Sequence, residues 1–155
     1  MTTHELGHVL GFNHEHQRPD AANYMRFNCP ALSGYEAAVR SVARAKDASF
    51  TDGDTVQQRM DQVCSSPTLA YTYFPIALAY IPGAQKHRND PRIYTPKSAG
   101  AQFDHRSIML YGSDSGVARF DWDDRSTWAW IHTQDTYPDY KAPLRKIVQQ
   151  AGGTD

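Results

Sequence analysis

The sequence predicts a mainly α-helical fold with irregular loops, and three observations support that class. Apolar residues recur at helical spacing in the segments 33–47, 54–64 and 138–151. Residues 82–102 form a polar stretch rich in Pro and Gly, which is typical of a long surface loop. The chain has 155 residues, 40% of them hydrophobic, and shows no internal repeat. This is enough chain for one domain with its own core.

The first predicted element is a short helix over residues 1–11 that carries histidines on one face. Four of the seven histidines lie in "HELGHVLGFNHEH", residues 4–16. His4 and His8 are four residues apart, which on a helix places them on the same face about 6 Å apart along the axis. Gly11 follows the last apolar residue, where helices commonly end in the left-handed conformation that glycine adopts readily. A chain reversal there would bring His14 back toward the first two imidazoles.

These three histidines predict a metal site of the catalytic kind. Three nitrogen ligands leave a fourth position open, which distinguishes a catalytic zinc from a structural one. Glu5 would point toward that position and accept a proton from water, whose pKa the metal lowers from about 16 to about 7. A bare H-E-x-x-H occurs by accident in many helices. The string H-E-x-x-H-x-x-G-x-x-H fixes five residues, so that a chance match is on the order of one in several million. His16 has no place in this geometry and is predicted to be exposed or to support a ligand.

Residues 33–82 are predicted to be a helical segment without chemistry of its own. Its first helix would begin with a capping box in which Ser33 pairs with Glu36. A second helix is predicted from about Asp54 to Cys64, with its apolar residues at helical spacing. We expect these helices to be scaffold beside the metal site.

The remainder of that segment is a long apolar run. Ser66 and Pro67 suit the start of a helix, as its cap and its first turn. The run at 68–82, "TLAYTYFPIALAYIP", is too short to span a bilayer and is interrupted by Pro75. It therefore predicts two short buried helices.

A second motif, "FDHRSIMLYG" at residues 103–112, makes a family resemblance specific. Together with the long histidine motif, Met109 resembles the methionine turn of the metzincin metallopeptidases, where the methionine packs as an apolar floor under three imidazoles. Glu15, directly after the third histidine, and Tyr111 narrow the resemblance to the astacin family. The resemblance assigns Tyr111 a hydrogen bond to the oxyanion of the substrate. Taken without it, Met109 and Tyr111 would be interpreted as core residues.

The astacin resemblance implies a zinc-dependent endopeptidase that hydrolyses peptide bonds in proteins. One Zn²⁺ per chain would be held by His4, His8 and His14, with Glu5 and Tyr111 as catalytic residues. The substrate would be a protein or peptide, and the enzyme would be secreted. The divergent sequence suggests a fungal-type or other outlying member of the family. Two alternatives stay open: a fragment that binds zinc without catalysis, and a secreted binding module.

The resemblance is tight only over residues 4–20 and 103–112, and it implies the C-terminal half of the family's α+β, zincin-like catalytic domain. Its N-terminal sheet subdomain, whose edge strand holds extended substrate, is expected to be missing, which would weaken substrate capture. The expected parts are a zinc helix 1–11, a helical insert 33–82, a surface loop 82–102, a Met turn 105–112 and a C-terminal helix 138–151.

The two cysteines, Cys29 and Cys64, lack the C-x-x-C spacing of a zinc or redox pair. If the chain is secreted, as the resemblance implies, a disulfide would close a loop with 34 intervening residues and contribute roughly 3 to 4 kcal/mol. Two buried thiols are the alternative.

Charge and aromatic content limit the partners further. A net charge of −1 with scattered Lys and Arg predicts no nucleic-acid partner, and the apolar runs predict no membrane partner. The segment 119–133, "RFDWDDRSTWAWIHT", carries all three tryptophans. Buried core is the expected role of these rings, and a carbohydrate-binding or partner surface is the alternative.

Overall fold

The computed structural model describes residues 3–82 and 103–133, and within them the chain is mainly helical, as predicted. The predicted loop at 82–102, apart from its first residue, and the predicted helix at 138–151 lie outside the described residues. That the fold is one subdomain of a zincin-like domain stays a prediction. The regular elements are α1 (Thr3–Val9), β1 (Met25–Phe27), α2 (Tyr35–Arg44), α3 (Val56–Ser65), α4 (Pro67–Tyr73) and β2 (Trp130–His132), joined by turns of 3-10 helix.

Helix α1 ends at the glycine that the sequence indicates. Gly11 has a φ of 87°, its N–H donates to His8 O at 3.0 Å, and the N–H of Phe12 donates to Gly7 O at 3.0 Å. This pair of bonds is the Schellman arrangement, which satisfies carbonyls that the end of a helix would leave unpaired. The chain therefore reverses directly after the helix.

Two of the three scaffold helices begin with side-chain caps. Thr55 accepts a hydrogen bond from the N–H of Gln58, whose side chain bonds back to Thr55 N, so that α3 has a full capping box. Ser66 accepts from the N–H of Leu69 at 3.4 Å with Pro67 in the first turn, which confirms the predicted start of α4. Within the described residues, no helix is long and apolar enough to cross a bilayer.

The predicted capping box of α2 is wrong. The N-cap is Gly34, with a φ of 85° and no side-chain cap bond, so the helix begins one residue later than the box requires. Glu36 then stands one position too early to reach back to a capping residue. Ser33 instead donates its N–H to Gly116 O at 2.9 Å, which ties the start of α2 to the loop after the Met turn.

A disulfide between Cys29 and Cys64 fastens the scaffold helices to the segment that follows β1. The two Cα atoms are 6.0 Å apart, and the bond confirms the prediction that the resemblance favoured. The bridge sits beside one core that all three scaffold helices share. Its largest fully buried apolar residues are Met25, Leu32, Val42, Met60, Val63, Ile81 and Trp130.

A two-stranded antiparallel sheet joins distant parts of the chain. Strand β1 pairs with β2 so that Met25 faces His132 and Phe27 faces Trp130. Burial of Trp128 and Trp130 confirms the core prediction for two tryptophans, but Trp122 is 53% exposed, so the prediction was wrong for that ring. The sheet was not predicted, since strands of three residues are too short to show alternation.

Candidate metal centre

The imidazoles of the three predicted ligands meet beside α1. The Nε2 atom of His14 lies 3.2 Å from Nε2 of His4 and 3.1 Å from Nε2 of His8. One ring nitrogen from each residue lies within 4.8 Å of the others. Tetrahedral zinc with nitrogen ligands at 2.0–2.1 Å needs donors about 3.3 Å apart. The spacing of the three nitrogens therefore suits a zinc ion.

The outward-facing ring nitrogens determine which nitrogen is free to bind. Nδ1 of His4 lies 2.7 Å from Ile108 O, and Nδ1 of His8 lies 2.9 Å from Phe12 O. A carbonyl oxygen can only accept, so Nδ1 donates in both rings, and in the neutral tautomer with that donor the lone pair lies on Nε2. His14 makes the equivalent bond to Gln17 Oε1 at 2.9 Å. Three converging lone pairs repel one another unless a cation lies between them, and imidazole nitrogens suit zinc.

Electrostatics keep the third ligand neutral. Burial lowers the pKa of His14, and the adjacent His8 and His4 lower it further, against opposing effects from the Gln17 hydrogen bond and the charge of Glu5. A histidine must be unprotonated at the binding nitrogen to hold a metal. At neutral pH, His14 meets that condition.

Met109 packs against the helix that carries two of the histidines. It is buried, and a Cβ atom placed on Gly7 would lie only 2.5 Å from its sulfur, so the missing side chain of Gly7 makes room for the thioether. The Met turn is also bonded to the loop of the third histidine, because Glu15 donates its N–H to Met109 O at 3.1 Å. The role of Met109 as a floor under the imidazoles stays a prediction.

Tyr111 and Glu5 both lie near the three histidines. The ring of Tyr111 is 4.5 Å from that of His14 and 6.1 Å from that of His4, measured between ring centroids. Burial raises the pKa of Tyr111, and the charge of Glu5 raises it further. The phenol is therefore protonated at neutral pH and available as a donor. Glu5 is exposed, and its effects on both Tyr111 and His14 place its carboxylate within electrostatic reach of the site.

His16 was predicted to be exposed or to support a ligand, and its complete burial shows that the exposed alternative was wrong. Its Nε2–H donates to Ala79 O at 2.8 Å, and its Nδ1 accepts from the N–H of Tyr111 at 3.3 Å. Burial lowers the pKa of His16 to about 3, so the ring is neutral. Both ring nitrogens of His16 are therefore occupied by hydrogen bonds to the backbone, which is why this histidine does not join the other three.

Sequence reasoning missed the contacts around Arg18. Its guanidinium donates to Glu15 Oε1 at 2.7 Å and to Asp20 Oδ2 at 2.8 Å. Glu15 Oε1 also accepts from the backbone N–H of Asp104 at 3.0 Å, so this carboxylate ties the third-ligand loop to the segment before the Met turn. A signal was present in "HEHQRPD", where acidic residues flank the arginine at short spacing.

The three histidines form a group that could hold a metal ion, and three nitrogen donors with a fourth position open are the donor set expected of a catalytic zinc. The model of the astacin peptidase family matches residues 1–52. The astacin-like metalloprotease toxin 4 of Loxosceles laeta is 42% identical over 52 residues, which cover 33% of this chain and 46% of that relative. The chain thus spans about half the length of the curated relative it matches. No solved structure matches the chain.

Residues 1–52 are therefore similar to the astacin metallopeptidases, and this partial match supports the family predicted from the motif. The family match supports a metalloprotease at the level of the family. That the chain is a fungal-type or other divergent member stays a prediction.

Proposed function

We propose that this chain is a zinc-dependent endopeptidase of the astacin type, in which His4, His8 and His14 hold one Zn²⁺. The observation that carries the proposal is the convergence of the Nε2 atoms of three histidines, with the closest pairs at 3.1 and 3.2 Å. When bound, zinc supplies Lewis acidity that lowers the pKa of water and polarises the scissile carbonyl.

Two side chains of this site would do the proton chemistry. Glu5 accepts a proton from the attacking water and later delivers it to the leaving amine, which is general base and then general acid catalysis. Tyr111 donates its phenol proton in a hydrogen bond to the carbonyl oxygen as negative charge develops there. The raised pKa of Tyr111 supports that role, since the donor must remain protonated.

The substrate is a protein or peptide, and the site of action is extracellular. A metalloprotease family match over residues 1–52 supports the substrate class. The Cys29–Cys64 disulfide supports secretion, because such bonds persist in oxidising compartments.

A second candidate is a chain that binds zinc without hydrolysing peptides. Four large apolar side chains around the C-terminal half of α1 are 45–71% exposed in the described structure: Leu6, Val9, Leu10 and Phe12. Within that part of the chain, water therefore reaches the helix that bears Glu5. A hydrolytic site gains from excluding bulk water, so this exposure favours zinc binding without hydrolysis.

The third candidate, a secreted binding module, is favoured by a different surface. Trp122 is 53% exposed and packs edge to face against Phe120, with the ring centroids 4.8 Å apart. Exposed aromatic pairs of this kind suit recognition of a partner.

A metal analysis combined with a cleavage assay separates the three candidates. We expect the purified full chain to bind one zinc and to cleave a mixed library of internally quenched peptides. Cleavage should stop on adding 1,10-phenanthroline and return with excess zinc. Bound zinc without turnover would instead identify the second candidate. If the chain binds no zinc, the proposed metal centre is contradicted, and the secreted binding module remains as the candidate.

A further inference from the structure

We propose that Gln17 is a positioning residue for the third metal ligand, holding the His14 imidazole in the tautomer and orientation that binding requires. The inference rests on the zinc centre of the proposed function. Gln17 Oε1 lies 2.9 Å from His14 Nδ1, and Gln17 Nε2 donates to Leu78 O at 3.2 Å. Its amide therefore connects a ligand to a distant part of the fold.

The bond to Leu78 determines which way the amide of Gln17 faces. A backbone carbonyl can only accept, so the NH₂ group must point toward Leu78 O. The amide oxygen then points toward His14 and can only accept from it. His14 must carry its proton on Nδ1, which leaves the lone pair on Nε2 facing the other two histidines. One carbonyl, 61 residues along the chain, thus fixes the protonation pattern of the metal ligand.

His14 differs from the other two ligands in how it is supported. His4 and His8 each donate to a backbone carbonyl, which substitution of a side chain does not remove. His14 is supported by a side chain held at both ends and only 8% exposed. Of the hydrogen bonds that hold the three histidines in the described structure, the one between His14 and Gln17 can be removed by substituting a side chain.

The neighbouring residue strengthens the same connection. His16 donates to Ala79 O at 2.8 Å while Gln17 donates to Leu78 O, so two adjacent side chains bind two adjacent carbonyls. Both carbonyls belong to the 3-10 turn Pro75–Ala79, which follows α4. The helical scaffold therefore braces the metal centre directly, in addition to supplying core.

Zinc affinity of the purified full chain tests this inference. Gln17→Leu removes both the acceptor and the donor at similar volume, and we expect the Kd for zinc to rise about 10- to 100-fold, as for other partners of metal-ligating histidines. Gln17→Glu keeps an acceptor facing His14 but loses the donor to Leu78 O, so its Kd should rise less than that of Gln17→Leu, since a carboxylate accepts this proton well. Gln57→Leu makes the same change on the exposed face of α3, where the amide bonds only to Asp61 among described partners, and should leave the Kd unchanged.

The readout is competition with a chromophoric zinc chelator, alongside thermal unfolding of the metal-free chains. A residue that only stabilised the fold would lower the melting temperature without changing the Kd. If Gln17→Leu does not fold, Gln17→Met, which is unbranched and of similar length, applies the same test. Parent-like affinity in the leucine or methionine variant, or equal loss in Gln17→Glu, would overturn the inference. Absence of zinc binding by the parent chain would instead refute the proposed function.

Discussion

Replacing Glu5 by Gln should reduce peptide hydrolysis by the zinc-loaded chain by about 10²- to 10⁴-fold, the usual contribution of a positioned general base. The amide keeps the size of the side chain but cannot take up a proton at neutral pH. The three histidines are unchanged, so zinc should still bind with the parent Kd. Initial rates of peptide cleavage and a zinc titration on the same preparation measure both quantities.

Glu36→Gln provides the matched control for that experiment. Glu36 is exposed in the first turn of α2, within the scaffold, and the same substitution there should leave cleavage unchanged. An unimpaired Glu5→Gln variant would show that the base is another group. A variant inactive only because it had lost its zinc would equally contradict the assigned role.

Removing the disulfide should have the largest effect on stability. We expect the double variant Cys29→Ser, Cys64→Ser to lower the free energy of unfolding by about 3 to 4 kcal/mol, because the reduced chain regains the entropy of a loop that spans 35 residues. Urea denaturation of the metal-free chain, followed by circular dichroism, measures the loss.

Chemical reduction is the control for the disulfide prediction. The parent chain in excess dithiothreitol should lose the same free energy as the double variant, since both lack only the cross-link. A loss below about 1 kcal/mol in both would mean that the bridge does not constrain the unfolded chain as the loop-closure argument requires.

The convergence of the three histidines was the most predictable part of the molecule because their spacing is local. His4 and His8 share a helix face, Gly11 ends the helix, and His14 returns within three residues, so short-range geometry alone brings them together. Tyr111 and Met109 came from the family resemblance. Nothing in their local sequence separates them from ordinary core residues.

The supports of the site could not be predicted in the same way. His16 and Gln17 are bonded to carbonyls more than sixty residues away, at Ala79 and Leu78. A backbone carbonyl has no identity in the sequence, so no pattern reveals such partners. For that reason the sequence prediction for His16 included an exposed position, although the residue is fully buried.

The same difference between local and distant contacts separates the elements that were predicted correctly from those that were not. The start of α4 was correct because Ser66 and Pro67 act within one turn. The capping box of α2 failed because tertiary contacts decide between neighbouring start positions: Ser33 is held by Gly116, on a loop over eighty residues away. The β1–β2 pair likewise depends on contacts across the fold.

X-ray absorption at the zinc edge of the loaded chain tests the central claim most directly. The account predicts one zinc per chain with three imidazole nitrogens at about 2.0–2.1 Å, and loss of one imidazole contribution in His14→Ala. A coordination shell that contains sulfur, or one with fewer than three imidazoles in the parent chain, would contradict it.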